Sequence, residues 1–327
     1  MRTCCFIIPY FGKLPNYFQL FLKSCSFNKD FNWLIITDDK TEFEYPINVK
    51  VIYSEFQDIR KYINEKLGMH VALEEPYKLC DLRPAYGFLF QSLIENYFFW
   101  GYCDLDEIFG NISDFIDEEI LKNYDKIGCL GHFTLYRNSP DINSMFMHSL
   151  NGEELYKEFF STPTSCIFDE EWNDNNINAI FREEGRKIYS KDISMNSTFI
   201  QSPFQRVKFV GKDVPNTKRG FKTEHVIKNC LYIWDQGSIF RFYIKNGRLI
   251  KEEFGYMHFQ QRKMEMDPTV LKLDKFKIIP NKFVPLEVEN VNMDNFNSIV
   301  KNGHPHQYLQ IIYKRIKRKI KKLQDII

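Results

Sequence analysis

The stretch that decides the fold reads Tyr97-Phe98-Phe99-Trp100-Gly101-Tyr102-Cys103-Asp104-Leu105-Asp106. Its apolar and aromatic run is typical of a buried strand and is too short to indicate a helix. The two aspartates follow where this strand ends and leaves the core. At this spacing they can converge on one divalent cation that prefers hard oxygen ligands, such as Mg²⁺ or Mn²⁺. Such a cation keeps open positions for the phosphates of a substrate.

The Asp-x-Asp spacing alone is a weak signal, because acidic pairs also occur on solvated loops and in turns. The apolar run before it and Gly110-Asn111 after it favour the metal-binding interpretation. A phosphatase would instead carry Asp-x-Asp-x-Thr after an early strand. Here Ile108 occupies the threonine position and the motif begins after residue 100, so this alternative is disfavoured.

The pattern around this stretch alternates between strands and helices, which predicts an α/β fold with a mostly parallel sheet and flanking helices. Strands are expected at 3–8, 33–37 and 49–53. A first helix is expected after an N-cap at Asn16, and another from Pro84 to about residue 96. The second half is less regular, and short alternating runs in 230–275 predict antiparallel strands.

Polar or turn motifs fall at three of the predicted strand ends. They are Pro9-Tyr10, Asp38-Asp39 and the pair Asp104 and Asp106. Ligands of parallel α/β sheets bind beyond the carboxyl ends of the strands. The three motifs therefore predict one binding site at one edge of the sheet.

The composition fits one continuous domain over 1–305 followed by a tail at 306–327. With 327 residues, 44% of them hydrophobic, the chain can bury a large core. Seven Lys or Arg and one acid give the last fourteen residues a net charge of +6, which leaves −5 for the first 313 because the whole chain carries +1. The body therefore has no basic excess of the kind that binds nucleic acid.

The sequence also bears on the cellular compartment. No run of 18 apolar residues occurs, so no transmembrane helix is expected. The apolar run from Cys4 to Ile8 is too short for a signal peptide and stops at Pro9. None of the eight cysteines forms a C-x-x-C pair, so a zinc site is not expected. A reduced cytoplasmic protein is the expectation.

Several motifs together resemble a known family. In chain order they are Pro9-Tyr10-Phe11-Gly12, Thr37-Asp38, Tyr77-Lys78-Leu79-Cys80-Asp81-Leu82-Arg83-Pro84-Ala85-Tyr86-Gly87, Trp100 to Asp106, Gly131-His132-Phe133, Arg137-Asn138 and Tyr256-Met257-His258-Phe259-Gln260-Gln261-Arg262. Over roughly 3–265 the chain resembles a bacterial family catalogued as a domain of unknown function and found among capsule and exopolysaccharide genes. Members of that family look like GT-A-type glycosyltransferases. The resemblance implies a GT-A-like, Rossmann-like fold, with a nucleotide-sugar-binding half at 1–125 and an acceptor-side half at 126–305.

The resemblance also implies a metal site. Asp104 and Asp106 would hold Mn²⁺ or Mg²⁺ against the donor diphosphate, and the metal would act as a Lewis acid on the leaving nucleotide. His258 is a further ligand by the same resemblance, and imidazole suits Mn²⁺ better than Mg²⁺. A strand histidine bonded to backbone is the structural alternative for His258.

Other residues are implied to contact the donor. Tyr10, next to Pro9, would stack on the nucleobase, and Asp38 would accept a hydrogen bond from base or ribose. Further donor contacts are expected from Lys78, Asp81, Arg83, Arg262 and Lys263, with the cations set against phosphate oxygens. Arg83 could instead fix Asp104. A core tyrosine, a turn aspartate, an Asp81–Arg83 ion pair and solvated charges are the structural alternatives.

Asp169 and Glu170 are candidates for the base that activates the acceptor. An inverting transferase needs a carboxylate within hydrogen-bond reach of the acceptor hydroxyl, whereas a retaining one need not have such a base. A polar loop is the structural alternative for either acid. The sequence leaves the stereochemical outcome open.

The tail carries an apolar stripe at helical spacing. Its members are Leu309, Ile312, Ile316, Ile320 and Leu323. Seven cations occupy the remainder of the segment, so it reads as a basic amphipathic helix on an anionic membrane. Each cation near such a surface contributes about 1 kcal/mol. A helix packed on the body or on a partner is the alternative.

The leading hypothesis is therefore a metal-dependent glycosyltransferase at the inner face of the cell membrane. It would move a sugar from a nucleotide-diphosphate donor, UDP-sugar above all, to a lipid-linked oligosaccharide. A non-catalytic protein of the same fold that binds a sugar or nucleotide is the second hypothesis. A phosphatase or nucleotidyltransferase that uses Asp104 is the third.

Overall fold

The chain is described by a computed structural model over residues 3–198, 203–227 and 229–300. In these ranges the strands are β1 (Cys4–Pro9), β2 (Phe31–Thr37), β3 (Val49–Tyr53), β4 (Phe99–Cys103), β5 (Glu107–Phe109), β6 (Lys126–Leu130), β7 (Phe133–Arg137), β8 (Ile188–Tyr189), β9 (Ser194–Asn196), β10 (Val207–Phe209), β11 (Phe221–Thr223), β12 (Leu231–Asp235), β13 (Ser238–Lys245), β14 (Arg248–Phe254), β15 (Tyr256–His258), β16 (Glu265–Met266), β17 (Lys275–Ile279) and β18 (Lys282–Pro285).

The α-helices are α1 (Phe18–Ser26), α2 (Phe56–Leu67), α3 (Leu79–Leu82), α4 (Tyr86–Leu89), α5 (Gln91–Ile94), α6 (Glu118–Asn123), α7 (Pro140–Asn143), α8 (Leu155–Ser161), α9 (Ile177–Glu183) and α10 (Met293–Ile299). Short 3₁₀ turns lie at Pro76–Lys78, Arg83–Ala85, Ile112–Asp114, Met145–Met147 and Pro268–Lys272. The predicted α/β class is confirmed by this mixture of parallel-rich sheet and flanking helices.

A seven-stranded sheet in the order β3-β2-β1-β4-β7-β6-β8 forms the centre of the molecule. Four of its six strand pairings are parallel, and β7 runs antiparallel to both neighbours. Only Gly131 and His132 separate β6 from β7. A connection this short can only join antiparallel strands, since parallel strands need a crossover.

Strand β1 shows why this sheet is buried on both faces. Cys5 and Ile7 belong to one apolar core, and Cys4, Phe6 and Ile8 belong to the other. Successive side chains of a strand point to opposite faces, so a run without polar residues needs cover on each side. The continuous apolar pattern from Cys4 to Ile8 therefore reflects a central strand.

The C-terminal part adds antiparallel structure, as predicted for 230–275. Six strands form a second sheet in the order β14-β13-β12-β17-β18-β16, and all but the β16–β18 pairing are antiparallel. A third sheet has the order β5-β15-β9. In it β15 pairs antiparallel with β5 and parallel with β9, so His258 lies opposite Glu107 on one side and Asn196 on the other.

Two helix boundaries differ from the prediction. Helix α1 has Tyr17 as its N-cap without a side-chain capping bond, because the amide of Asn16 donates instead to the carbonyl of Met264, at 2.9 Å. The helix expected from Pro84 is divided at Phe90, whose backbone leaves helical geometry (φ −107°, ψ 26°). The ring of Phe90 packs there against Tyr62 and Tyr86.

The amphipathic tail predicted at 306–327 lies outside the described residues. Within the ranges that the structure describes, no helix is long and apolar enough to cross a membrane. All eight cysteines are free thiols.

Candidate functional site

A cleft of about 1160 Å³ opens at the carboxyl ends of β1 and β4. Pro9 and Tyr10 line it at the end of β1, and the segment from Tyr102 to Asp106 lines it at the end of β4. The helical stretch that begins at Pro76, the loop at 165–170 and the segment after β15 complete its walls. The cleft therefore lies where ligands of parallel sheets bind.

Asp104, Asp106 and His258 meet in this cleft. The Nε2 atom of His258 lies 3.2 Å from Oδ1 of Asp106 and 3.5 Å from Oδ2 of Asp104. The carboxylates remain partly exposed to the cleft, whereas the imidazole is buried behind them. One nitrogen and two carboxylate oxygens with access from solvent form a donor set that suits Mn²⁺.

The other nitrogen of this histidine has a fixed partner. His258 Nδ1 lies 3.0 Å from Oδ1 of Asn196, and that oxygen also accepts a hydrogen bond from Gln260 Nε2, at 3.0 Å. Since the oxygen is an acceptor, Nδ1 carries the proton and donates to it. The lone pair of Nε2 in the neutral ring is thereby directed at the two aspartates, which is the tautomer that binds a metal.

The electrostatics of this group agree with a cation site. Burial alone would lower the pKa of His258, but Asp106 and Asp104 outweigh it and raise that pKa. Burial would raise the pKa of Asp106, yet His258 and the N–H of Gln261 hold it at about 2. A proton on the imidazole thus occupies the position that a divalent ion would take.

Glu107 and His132 lie directly behind His258 and were not assigned a role from the sequence. Glu107 is fully buried, and neither of its carboxylate oxygens has a hydrogen-bond partner among the described residues. Burial raises the pKa of Glu107 and lowers that of His132. His132 stood in the motif Gly131-His132-Phe133, and Glu107 directly follows Asp106. Their burial depends on the packing of β15 against β5 and against the turn between β6 and β7, which no local pattern indicates.

Glu107, His132 and His258 also lie close enough to hold a metal ion. However, the rings of His132 and His258 are stacked, with centroids 4.4 Å apart and planes 29° apart. Nitrogen lone pairs lie in the ring planes, so stacked rings direct them along nearly parallel lines instead of towards one point. The group with Asp104 and Asp106 is therefore the better metal site.

We call Asp104, Asp106 and His258 the metal group. Arg83 connects this group to the wall of the cleft that carries Asp169. Its guanidinium donates to Oδ1 of Asp104, to Oδ2 of Asp169 at 2.9 Å and to the carbonyl of Gly131 at 2.7 Å. Its side chain lines the cleft. This geometry places Arg83 where it holds Asp104, which was one of the two roles that the sequence left open.

The two candidate bases both line the cleft. Burial raises the pKa of Asp169 to about 7, although Arg83 opposes the shift. Burial also raises the pKa of Glu170, whose carboxylate accepts a long hydrogen bond from Gly131 N, at 3.3 Å. A carboxyl group with a pKa near 7 is suited to proton transfer at neutral pH.

Lys78 and Asp81 have a different setting. They form a buried ion pair of 2.7 Å, and neither lines the cleft that the described residues enclose. Lys78 donates to the carbonyls of Phe159 and Thr164, and Asp81 accepts from the N–H of Cys166. The pair thus supports the loop that ends in Asp169, and donor contact through these two side chains has no support in the geometry.

The neighbouring Tyr77 opens the motif 77–87 but was assigned no role from the sequence. It is 69% exposed and lines the cleft.

Of the two residues expected to contact the nucleobase, Tyr10 lines the cleft formed by the described residues and Asp38 does not. Tyr10 is half-buried, lines the cleft and donates from its hydroxyl to the carbonyl of Lys13, at 3.1 Å. Asp38 does not line the cleft in the described ranges and accepts from the N–H of Gly12, at 2.7 Å. Asp38 therefore shapes the loop after β1, and Tyr10 is the residue that a planar ligand can reach.

Arg262 and Lys263 both line the cleft. Arg262 is 2% exposed, and its guanidinium donates to the carbonyl of Thr198, at 3.1 Å, and lies over the ring of Phe204. Burial lowers its pKa to about 10. Lys263 is exposed.

These features define an α/β protein with an acidic, histidine-containing site at one edge of its central sheet. Residues 6–287 match the model of a family of unknown function, DUF6625, and the chain belongs to that family. No curated protein matches the sequence.

Proposed function

We propose that this chain is a metal-dependent glycosyltransferase of the GT-A type. The observation that carries the proposal is the convergence of Asp104, Asp106 and His258 at the carboxyl ends of parallel strands. His258 is distant in the chain from Asp104 and Asp106, and the donor atoms of the three residues would hold a Mn²⁺ or Mg²⁺ ion next to a diphosphate. When bound, the ion would supply Lewis-acid stabilisation of the leaving nucleotide.

The cleft offers positions for both substrates. Tyr10 and Pro9 face the donor side, where a nucleobase would stack, and Arg83 holds Asp104 in place. Asp169 or Glu170 would take the proton of the acceptor hydroxyl if the reaction inverts configuration. The donor is a nucleotide-diphosphate sugar, with UDP the first choice, and the acceptor is a lipid-linked glycan of a bacterial surface polysaccharide.

The test is nucleotide release from a panel of nucleotide sugars by the purified full chain with Mn²⁺. Release from one donor should disappear on chelation and in Asp104→Ala/Asp106→Ala. Glu65→Ala, which removes an exposed acid from α2, is the matched control and should retain activity. Phosphate release from phosphomonoesters would favour a phosphatase, and nucleotide binding without turnover in the presence of acceptors would favour a non-catalytic binding protein.

The proposal also covers the cellular location of the protein, and this part rests on the sequence of residues 306–327. Its apolar stripe and seven cations would hold a cytoplasmic enzyme at the inner face of the membrane, close to a lipid-linked acceptor. Flotation with anionic liposomes, with and without 309–327, tests this. Equal binding by both forms would contradict it.

A further inference from the structure

The hairpin formed by β10 and β11 concentrates positive charge in a protein whose body is acidic overall. Residues 203–227 contain six Lys or Arg and two Asp or Glu. Over the first 313 residues the net charge is −5. A local excess of this size indicates a surface for an anionic ligand, provided that the cations are not already neutralised within the protein.

Two of the six cations are neutralised, and a third, Lys208, is half-buried. Lys212 pairs with Glu171, at 2.8 Å, and Arg206 pairs with Glu224, at 3.4 Å.

Lys218, Arg219 and Lys222 are exposed, and none has a salt bridge to an acid in the part of the chain that the structure describes. We call these three residues the basic hairpin. Two exposed acids lie nearby: Asp213 near its tip, and Asp174, which pairs with Lys212 and also feels the charge of Arg219. The basic hairpin thus retains most of its charge for an external partner.

One contact joins the basic hairpin to the wall of the cleft. Arg219 Nη1 donates to the carbonyl of Trp172, at 2.7 Å, and its guanidinium lies 5.4 Å from the centre of the indole ring. Trp172 is 38% exposed and follows the cleft-lining Glu170 by two residues. Two peptide units span at most about 7.6 Å between Cα atoms. Trp172 and Arg219 therefore lie at the rim of the cleft.

A second contact places the base of the hairpin on the same rim. Phe209 and Phe221 pack with Cys129 and Leu130, which directly precede the cleft-lining Gly131. Gly131 follows β6, which lies beyond β4 in the sheet, whereas Tyr10 lies on the β1 side of β4. The basic hairpin is therefore on the side of the cleft away from Tyr10, where the acceptor enters under the proposed function.

The charge changes sign between the inside of the cleft and its rim. Asp169 and Glu170 lie inside the cleft, and the exposed Trp172 ring and the basic hairpin follow outside it. We propose that the basic hairpin binds a phosphate group of the acceptor while a sugar hydroxyl of the same molecule reaches Asp169 or Glu170. This inference rests on the proposed function and adds the chemical class of the acceptor, a phosphate-bearing glycan.

The test compares charge reversals at two places in the full chain. Lys218→Glu/Arg219→Glu alters the basic hairpin, and Lys245→Glu/Arg248→Glu makes the same charge change at the exposed turn between β13 and β14. Binding of inorganic pyrophosphate is measured by calorimetry with EDTA, so that no metal site contributes. Calorimetry with monomeric short-chain phosphatidylglycerol, against monomeric short-chain phosphatidylcholine, reports a lipid phosphate without a membrane surface to which residues 306–327 would also bind.

The first pair should weaken anion binding by at least about tenfold, and the control pair should leave it unchanged, because each cation near an anionic surface contributes to affinity. Loss of pyrophosphate binding would identify a phosphate recognised free of lipid, and loss of phosphatidylglycerol binding alone would identify a lipid phosphate. Lys218→Glu/Lys222→Glu spares the contact between Arg219 and Trp172 and should behave like the first pair. Equal affinities in all variants would overturn the inference.

The readout is separate from catalysis. Asp104→Ala/Asp106→Ala should lose nucleotide release and retain pyrophosphate binding in EDTA. Nucleotide release by the wild-type chain without any effect of the hairpin variants on anion binding would overturn this inference and leave the proposed transferase intact.

Discussion

His258 presents its two ring nitrogens to different neighbours. Nε2 faces Asp104 and Asp106, and Nδ1 donates to Asn196. A hydrogen-bond acceptor behind a ligating histidine fixes both the tautomer and the ring orientation, and its loss typically reduces metal affinity 10–100-fold. Under the proposed function, Asn196 is therefore a positioning residue that acts through His258.

Replacing Asn196 separates the acceptor function from the shape of the side chain. Asn196→Leu should weaken Mn²⁺ binding by about 10–100-fold, whereas Asn196→Asp retains an oxygen for Nδ1–H and should bind Mn²⁺ at least as well as the wild type. Electron paramagnetic resonance of free Mn²⁺ measures the affinity, and ¹⁵N NMR of the His258 ring measures the tautomer. An unchanged tautomer in Asn196→Leu would contradict this role.

The raised pKa of Asp169 leads us to expect that turnover depends on pH. A general base acts in its ionised form, and burial raises the pKa of Asp169 to about 7. The ionised fraction therefore grows from about one tenth at pH 6 to about nine tenths at pH 8, and the rate of sugar transfer should rise with it. Asp169→Asn should remove the rise measured in a pH–rate profile. A profile that keeps its rise in this variant would exclude Asp169 and point to Glu170.

The residues that the sequence could identify are those with a local signal. Asp104 and Asp106 follow an apolar strand within ten residues, so their place at the sheet edge could be predicted. Asn196, Glu107 and His132 have no such signal, because their contacts arise from the pairing of β15 with two distant strands. Lys78 and Asp81 carry a charge pattern that suits both a ligand site and a buried ion pair, and only burial distinguishes the two.

Among the elements, β4 determines how closely the sheet and its covering helices approach. A Cβ atom at Gly101 would lie 2.1 Å from the carbonyl oxygen of Thr134 in β7, and one at Gly87 would lie 2.2 Å from the ring of Trp100. The aromatic strand β4 can therefore pack closely, because Gly101 leaves room for β7 and Gly87 leaves room for the ring of Trp100. Its strand character could be predicted from sequence, but this contact with β7 could not.

Gly101→Ala should destabilise the protein by about 1–3 kcal/mol or more, because the atom it meets belongs to the backbone of a central strand and cannot rotate away. Urea denaturation measures the free energy of unfolding. A value equal to that of the wild type would show that β4 and β7 can separate without cost.

At the scale of the whole molecule, the metal group connects the first third of the chain to its C-terminal part. Asp104 and Asp106 follow the central sheet, whereas His258 belongs to a strand between β5 and β9. An ion bound here contacts both parts and is absent from the unfolded chain. Ligand binding should therefore stabilise the entire fold.

Mn²⁺ together with a nucleoside diphosphate should raise the melting temperature. At one hundred times the dissociation constant the stabilisation is about 2.7 kcal/mol. Differential scanning calorimetry should show this shift in the wild type and in Glu65→Ala, and no shift in Asp104→Ala/Asp106→Ala. A shift that persists in the double variant would place the ion elsewhere.

The order of the metal group along the chain has a consequence for biosynthesis. A nascent polypeptide that has left the ribosome as far as β7 already carries Asp104 and Asp106, but the imidazole that would complete the proposed cation site is synthesised more than a hundred residues later. A partly translated protein therefore exposes two carboxylates without their histidine. Under the proposed function, ion capture is one of the last events of maturation, and we expect a truncated product that lacks β15 to be inactive however well its first sheet has formed.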